Sequence, residues 1–474
     1  MQTRKPDTRV HLFLYAVLTL LAWGAFAFGA EFTWAYAPLL VLSVTVAALG
    51  FMAGQGSTGS SHRMMAVALV VVIAAVLLQL VPLPASLVEA LSPAHDAVDY
   101  RKLFATVTMR DEPAALDAAS ARPLSIAPSR TWLGLAFVIA YSLLLIGCVR
   151  GLGAVGTRRI VRGVIVLGVI AAFAEIFQKA SASSIVYGFF EPRQVFYHSA
   201  PFINRNHTAG WLIMAAALGL GHLAGSVDDG ARATSSWRER ILWLSSRRGS
   251  EVVLTGCVIA IIAVAVVLTE SRSGFMCLLL VALLFGSFSV RKQSTWWRRA
   301  FVAAHLAFVL VVGMVMGGVQ AVGERFAAVR LESADGRLDV WRDTLRIIGD
   351  FPATGTGFNT YGIAMLHYQQ TEHGPVRYIE AHNDYLQLAA EGGVLLGIPV
   401  VLLIIVIARE IHRRFAERQD DRRAYWLRVG AVCGLVAIAF QSLFDFTLQM
   451  PGAAVLFILV MAIAVQRRQP EASQ

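Results

Sequence analysis

Four groups of polar residues stand at the mouths of apolar segments, and their types set the chemistry they could do. The stretch from Tyr378 to Ala408, YIEAHNDYLQLAAEGGVLLGIPVVLLIIVIA, carries Glu380, His382, Asn383, Asp384 and Glu391 directly ahead of a run of Leu, Val and Ile. Histidine has the ordinary pKa that suits proton exchange near neutrality. Asn383 or Asp384 also reads as a plain helix N-cap. TESRSG at 269–274 holds Arg272 in a tight turn between two apolar runs. A guanidinium keeps its charge and offers a planar fork for phosphate oxygens, although an interfacial arginine that only snorkels looks the same in sequence. DGRLDVWRDTLRIIGDFP sets Arg337 beside an apolar stripe of Leu338, Trp341, Leu345 and Ile348. Arg342 and Arg346 share a different face, balanced by Asp339 and Asp343, and read as a solvated surface. In PFINRNHTAGW, Asn204, Asn206 and His207 lie where a loop enters a helix. Capping explains one asparagine; two with a histidine suit hydrogen bonding to a polyhydroxylated ligand.

What is missing narrows the chemistry. No Asp-x-Asp pair and no outward His-x-x-x-His supplies metal ligands, so no metal or other cofactor is expected. No Gly-x-Ser-x-Gly marks a serine nucleophile, and GTGFNT lacks the lysine of a phosphate-binding loop. Cys148, Cys257, Cys277 and Cys433 all fall within apolar runs, which proposes neither a disulfide framework nor a zinc site. Glu175 also falls within an apolar run, where a carboxylate is expensive and usually functional; it is the residue that favours a transporter.

The elements that must position these groups are membrane helices. Of 474 residues, 57% are hydrophobic and 15% charged, against about 25% charged in a soluble domain. Apolar runs long enough to span a bilayer number about twelve, near 10–29, 34–54, 64–82, 131–149, 160–178, 207–225, 251–269, 274–290, 300–319, 391–408, 425–445 and 450–466. The net charge of +10 sits in short loops between them. It reads as topology signal, not as a nucleic-acid surface, and no nucleic-acid partner is expected. With both termini in the cytoplasm, roughly two thirds of the basic residues fall on the cytoplasmic side, in accord with the positive-inside rule. The first apolar run is read as a retained helix; its basic start and the Ala-x-Ala at 25–27 also fit a cleaved signal. The fold expected is therefore an all-α polytopic membrane protein. Its parts are helices 1–9 over 1–319, a large outer loop over 320–390 between helices 9 and 10, and helices 10–12 with a tail over 391–474. Further outer segments lie near 84–130 and 179–206, and every candidate group above faces that side.

SRSG opening a helix, Arg337 with Trp341, GTGFNTYG, and EAHNDYLQLAAEGGVLLG follow one another in the order and spacing of the O-antigen ligase/polymerase superfamily, which the chain resembles most clearly from about 265 to 410. His-Asn-x-x-Leu followed by Glu-x-Gly is the most specific local signature. The resemblance implies a bacterial inner-membrane glycosyltransferase with a periplasmic site. Its donor would be a glycan on undecaprenyl diphosphate. Its acceptor would be the lipid A core in a ligase, a growing glycan in a polymerase, or a protein hydroxyl in an O-oligosaccharyltransferase. On this scheme Arg272 and Arg337 clamp the departing diphosphate without a metal, and His382 orients or deprotonates the acceptor hydroxyl, with inversion at the anomeric carbon. Asn204, Asn206, His207, Asn383, Trp341 and Glu391 are the substrate-binding candidates. The long 84–130 segment departs from the plainest ligase pattern and resembles exopolysaccharide members. The rival class is a twelve-helix secondary carrier, but carriers place polar sites near the bilayer midplane, not at helix mouths.

Overall fold

The computed structural model describes residues 8–54, 60–98, 121–181, 183, 185–191, 198–232, 237–292, 307, 332–370, 377–417 and 422–466. Apolar sequence without strand periodicity gives a bundle of helices. In chain order these are α1 (Thr8–Phe26), α2 (Thr33–Ala53), α3 (Ser60–Leu78), α4 (Ala85–Leu91), α5 (His95–Val98), α6 (Pro128–Val155), α7 (Thr157–Ser181) and α8 (Arg205–Arg232). They continue with α9 (Trp237–Leu244), α10 (Arg247–Leu268), α11 (Arg272–Lys292), α12 (Glu332–Asp350), α13 (Tyr361–Tyr368), α14 (Asp384–Ala416), α15 (Arg422–Gln441) and α16 (Pro451–Val465). Among the described residues nine helices are long and apolar enough to cross a membrane, and Arg63–Leu78 and Pro451–Val465 are shorter apolar helices. Together they overlap eleven of the expected spans, as befits an all-α polytopic membrane protein. The run near 300–319 lies outside the described residues.

At the centre stands α8, buried along nearly its whole length. It packs closely on α15 because glycine removes the side chain where the backbones meet. A Cβ on Gly221 would lie 2.5 Å from the Trp426 carbonyl oxygen, and one on Gly430 2.3 Å from that of Ala217. At one end of the bundle the last carbonyls of α16, which have no partner within the helix, are met by two buried arginines. Arg428 donates to the carbonyls of Ala464, Gln466 and Arg414, each at 3.1 Å. Arg414 donates to Val465 and pairs with Glu410 and Glu417.

The other end carries a small apolar core of its own, formed by Val340, Ile347, Phe351, Tyr361, Met365 and Ala381 with Ile126 beneath them. Here α12 turns inward a face beside the apolar stripe. Val340, Thr344 and Ile347 are buried, whereas Leu338 and Leu345 are exposed. The Thr344 hydroxyl makes this possible by bonding the Val340 carbonyl and the Tyr361 hydroxyl, so a polar residue sits in the apolar row without loss. The helix begins at Glu332, so Asp335 lies inside it.

Helix α14 starts at Asp384, seven residues before the span expected there, and it is broken at Gly393 (φ 53°, ψ −153°). A break inside an apolar helix frees backbone groups that lipid cannot satisfy. The loop 352–357 replaces them. Val394 and Leu395 donate to the carbonyls of Pro352 and Ala353, both at 2.9 Å, while Thr356 and Gly357 donate to those of Ala390 and Glu391, both at 3.0 Å. Gln79, at the end of α3, completes the junction. Its amide donates to the carbonyls of Thr354 (2.8 Å) and Glu391 (2.9 Å), and its oxygen accepts from the Phe358 N–H.

Candidate active site at the helix mouths

The start of α8, the start of α11, the start of α14 and the turn between α15 and α16 meet at one place. The Ser271 hydroxyl, just ahead of α11, donates to Asn206 Oδ1 at 2.7 Å and accepts the Gly274 N–H. The Gln441 amide, at the end of α15, donates to the Asn206 carbonyl. Asp384 accepts from the Ser442 hydroxyl and the Gln449 amide, and its own N–H donates to the Ser442 carbonyl. These bonds fix four helix ends as one rigid frame, with partial positive charge at the helix N-termini.

Into that frame projects His382. Its backbone is left-handed (φ 50°), which sets the imidazole against the α15–α16 turn. The ring packs edge-on to Phe446 (centroids 4.9 Å apart) and to Tyr378 (6.5 Å). Its Nδ1 is buried with no hydrogen-bond partner. Burial, and then the charge of Arg337, lower its pKa to about 4, so the ring is neutral at physiological pH and able to accept a proton. Phe446 also packs edge-on to His207, with centroids 4.7 Å apart, and the His207 Nε2 stands 3.8 Å from Asp445 Oδ1. Asp445 is fully buried. It accepts from its neighbour's N–H at Phe446 and from Asn206, and its Oδ2 has no partner. Burial raises its pKa to about 6, against the pull of Phe446 N–H, Arg337, Asn206 and Arg205. Two residues before His382, burial and the nearby Glu391, Asp384 and Glu31 push Glu380 up to about 8 despite a bond from Gln387.

Of the three residues expected to do chemistry, Arg337 is within electrostatic reach of both His382 and Asp445. Arg272 is the first residue of α11, exposed, and tied to the group through its neighbour Ser271 and Asn206. Arg272 is exposed and Arg337 half-buried, and among the described residues neither makes a hydrogen bond or an ion pair within 4 Å. Arg342 and Arg346, both exposed, pair with Asp339 (2.7 Å) and with the buried Asp343 (3.1 Å).

Several of the residues expected to bind substrate make internal bracing contacts. Asn383 is the N-cap of α14: its oxygen accepts from the Tyr385 and Leu386 N–H groups, and its amide donates to the Leu443 carbonyl. Glu391 accepts from the N–H groups of Asn359 and Tyr361 at 2.9 Å each, with Gln387 and the Thr360 N–H also converging on it. That leaves its two oxygens no place for a sugar hydroxyl. The Trp341 indole donates to the Ala381 carbonyl and so steadies the residue before His382. Asn206 is a strut between Ser271 and Asp445, and Asn204 caps α8 through the Asn206 N–H. His207 lies at the buried back of the site. Sequence reasoning passed over Asp445 and Arg205. An acid in a turn as short as FDFTLQMP between two apolar runs was the signal for the first; a cation between two asparagines at a helix start was the signal for the second.

No curated protein matches the chain. Residues 257–401 match the family model described as O-antigen ligase. The match runs from α10 into α14 and takes in Arg272, Arg337 and His382. Over residues 257–401, on a bundle of membrane-length helices, the match supports the O-antigen ligase/polymerase superfamily.

Proposed function

We propose that the protein is a ligase-type glycosyltransferase of the inner membrane. It would move a glycan from undecaprenyl diphosphate to an acceptor hydroxyl at the periplasmic face, with inversion and without a metal. The observation that carries this reading is a buried imidazole, His382, within the field of the Arg337 guanidinium, in a frame of helix mouths to which Ser271, the neighbour of exposed Arg272, is hydrogen-bonded. A lipid-linked donor has its tail in the bilayer and its reacting carbon at the surface, which is the depth of that group. In the reaction the acceptor oxygen attacks the anomeric carbon as the bond to the diphosphate oxygen breaks. The bonding pair leaves with the diphosphate, whose growing charge the two arginines stabilise. The acceptor's proton passes to His382. Arg337 has a second effect. While it is uncompensated it holds the imidazole's pKa down; once the diphosphate takes up its charge, the imidazole becomes a stronger base at the moment it is needed.

The test is to incubate the purified protein with an undecaprenyl diphosphate-linked repeat unit alone, then with each acceptor. Transfer that waits for lipid A core or a hydroxyl-bearing protein supports the ligase reading. A ladder of lengthening glycans without added acceptor makes the protein a polymerase. Binding of donor with no transfer to any acceptor overturns both.

A further inference from the structure

We infer that Glu175 is a positioning residue for glycan transfer, acting through the turn 199–204 that delivers Asn204, Arg205 and Asn206 to the site; the inference rests on the transferase reading above. Glu175 lies in the later part of α7 and is fully buried. One of its oxygens, Oε2, accepts from both the Ser199 hydroxyl (2.7 Å) and the Ala200 N–H (2.9 Å). The Ser199 hydroxyl also bonds the Thr208 hydroxyl at 2.8 Å, on the first turn of α8, and the Ser199 N–H donates to the Ile203 carbonyl. A single carboxylate oxygen therefore joins α7, the turn and α8. The other oxygen, Oε1, is buried without a partner.

A carboxylate within an apolar helix is retained against a considerable desolvation penalty. A proton carrier would need that group to meet water on alternate sides. Here it is sealed against a turn whose next residues cap α8, reach the electrostatic field of Asp445 and brace Ser271 beside Arg272. What the site draws from Glu175 is an acceptor at the Oε2 position. Glutamine can supply that acceptor, placing its amide nitrogen where Oε1 has no partner.

The experiment compares Glu175→Gln, Glu175→Ala, Ser199→Ala and the double variant Glu175→Ala/Ser199→Ala as purified full-length proteins, with kcat and KM measured per folded molecule. Glu175→Ala should lower kcat by about 10–100-fold, the scale of a misplaced reacting group, and Glu175→Gln should restore it close to wild type. The double variant should be no worse than Glu175→Ala. Glutamine as inactive as alanine would overturn the proposal in favour of a proton-carrying role, and wild-type kcat and KM in all variants with only reduced yield would reduce Glu175 to a packing residue. A second readout is independent of transfer. The labelling rate of Asn204→Cys by a membrane-impermeant maleimide should change with Glu175→Ala and not with Glu175→Gln. Unchanged labelling in both sinks the proposal even if no acceptor has been found, whereas a change in labelling in a protein that never transfers glycan would keep the turn's anchor and discard the transferase reading.

Discussion

Replacing Gly393 by alanine should be among the most damaging single-methyl changes in the molecule. Its backbone (φ 53°, ψ −153°) lies where residues with a Cβ rarely go, a strain of about 1–3 kcal/mol. The added Cβ would stand 2.6 Å from the Gly355 nitrogen and 2.8 Å from both the Ala353 carbonyl carbon and the Pro352 oxygen. All three are backbone atoms, so no side chain can step aside and the loop 352–357 must retreat. Retreat lengthens the four hydrogen bonds that bridge the break; losing two of them costs about 1–3 kcal/mol more. The expected destabilisation is about 2–6 kcal/mol. Gly397→Ala, four residues on in the same helix, is the internal control, since a Cβ there meets nothing within 4 Å. It should be neutral or stabilising by up to about 1 kcal/mol. Thermal unfolding in detergent, followed by the retention of a monodisperse peak on size exclusion, separates the two. Equal midpoints for Gly393→Ala and Gly397→Ala would refute the account of the stapled break.

Other perturbations test the site. Arg272→Ala, Arg337→Ala and His382→Ala should each cut transfer at least tenfold with normal membrane levels, and Arg272→Lys should recover little, because an ammonium lacks the fork that fits two phosphate oxygens. Because neutral His382 is the competent form, transfer should fail as pH drops through its pKa: kcat/KM should lose activity on an acidic limb near 4, and the limb of kcat should lie higher because bound diphosphate offsets Arg337. Arg337→Gln should move the free-enzyme limb upward, but short of the ordinary histidine value since burial remains the larger cause. Glu391→Ala should lower thermal stability more than Glu391→Gln, because it strands the N–H groups of Asn359 and Tyr361 at once. Arg428→Ala should reduce the amount of folded protein in membranes without changing KM, as its three carbonyl partners lie at the end of the bundle away from the site.

Apolar length made the membrane bundle plain in sequence, since eighteen or more residues without charge have few other uses. The polar clusters at helix mouths were legible for a related reason: polar groups next to such runs stand out. What each polar group does was far less legible. The cap role of Asn383 could be read locally in EAHNDYLQLAAEGG, but not that of Glu391, which the fold makes the anchor of a loop about thirty residues earlier. Local pattern carries no information about that loop. The burial of Thr344 on α12 was not legible either, because its partner, the Tyr361 hydroxyl, is contributed from elsewhere in the chain. Asp445 was overlooked because the short turn marks an acid without saying what it faces; Asn206, Arg205 and Arg337 come to it from distant parts of the chain.

The left-handed backbone of His382 has a consequence for how the protein could be studied and altered. A residue with a Cβ in that conformation is held there against about 1–2 kcal/mol, and glycine at the same position would be free of the penalty. The protein should therefore tolerate the loss of this imidazole easily and could even melt later without it, while losing transfer. A survey of substitutions scored only by heat resistance would rank position 382 among the improvable ones. Such a screen, run on this chain and compared with one scored by glycan product, would expose the site as the position where the two rankings part most sharply.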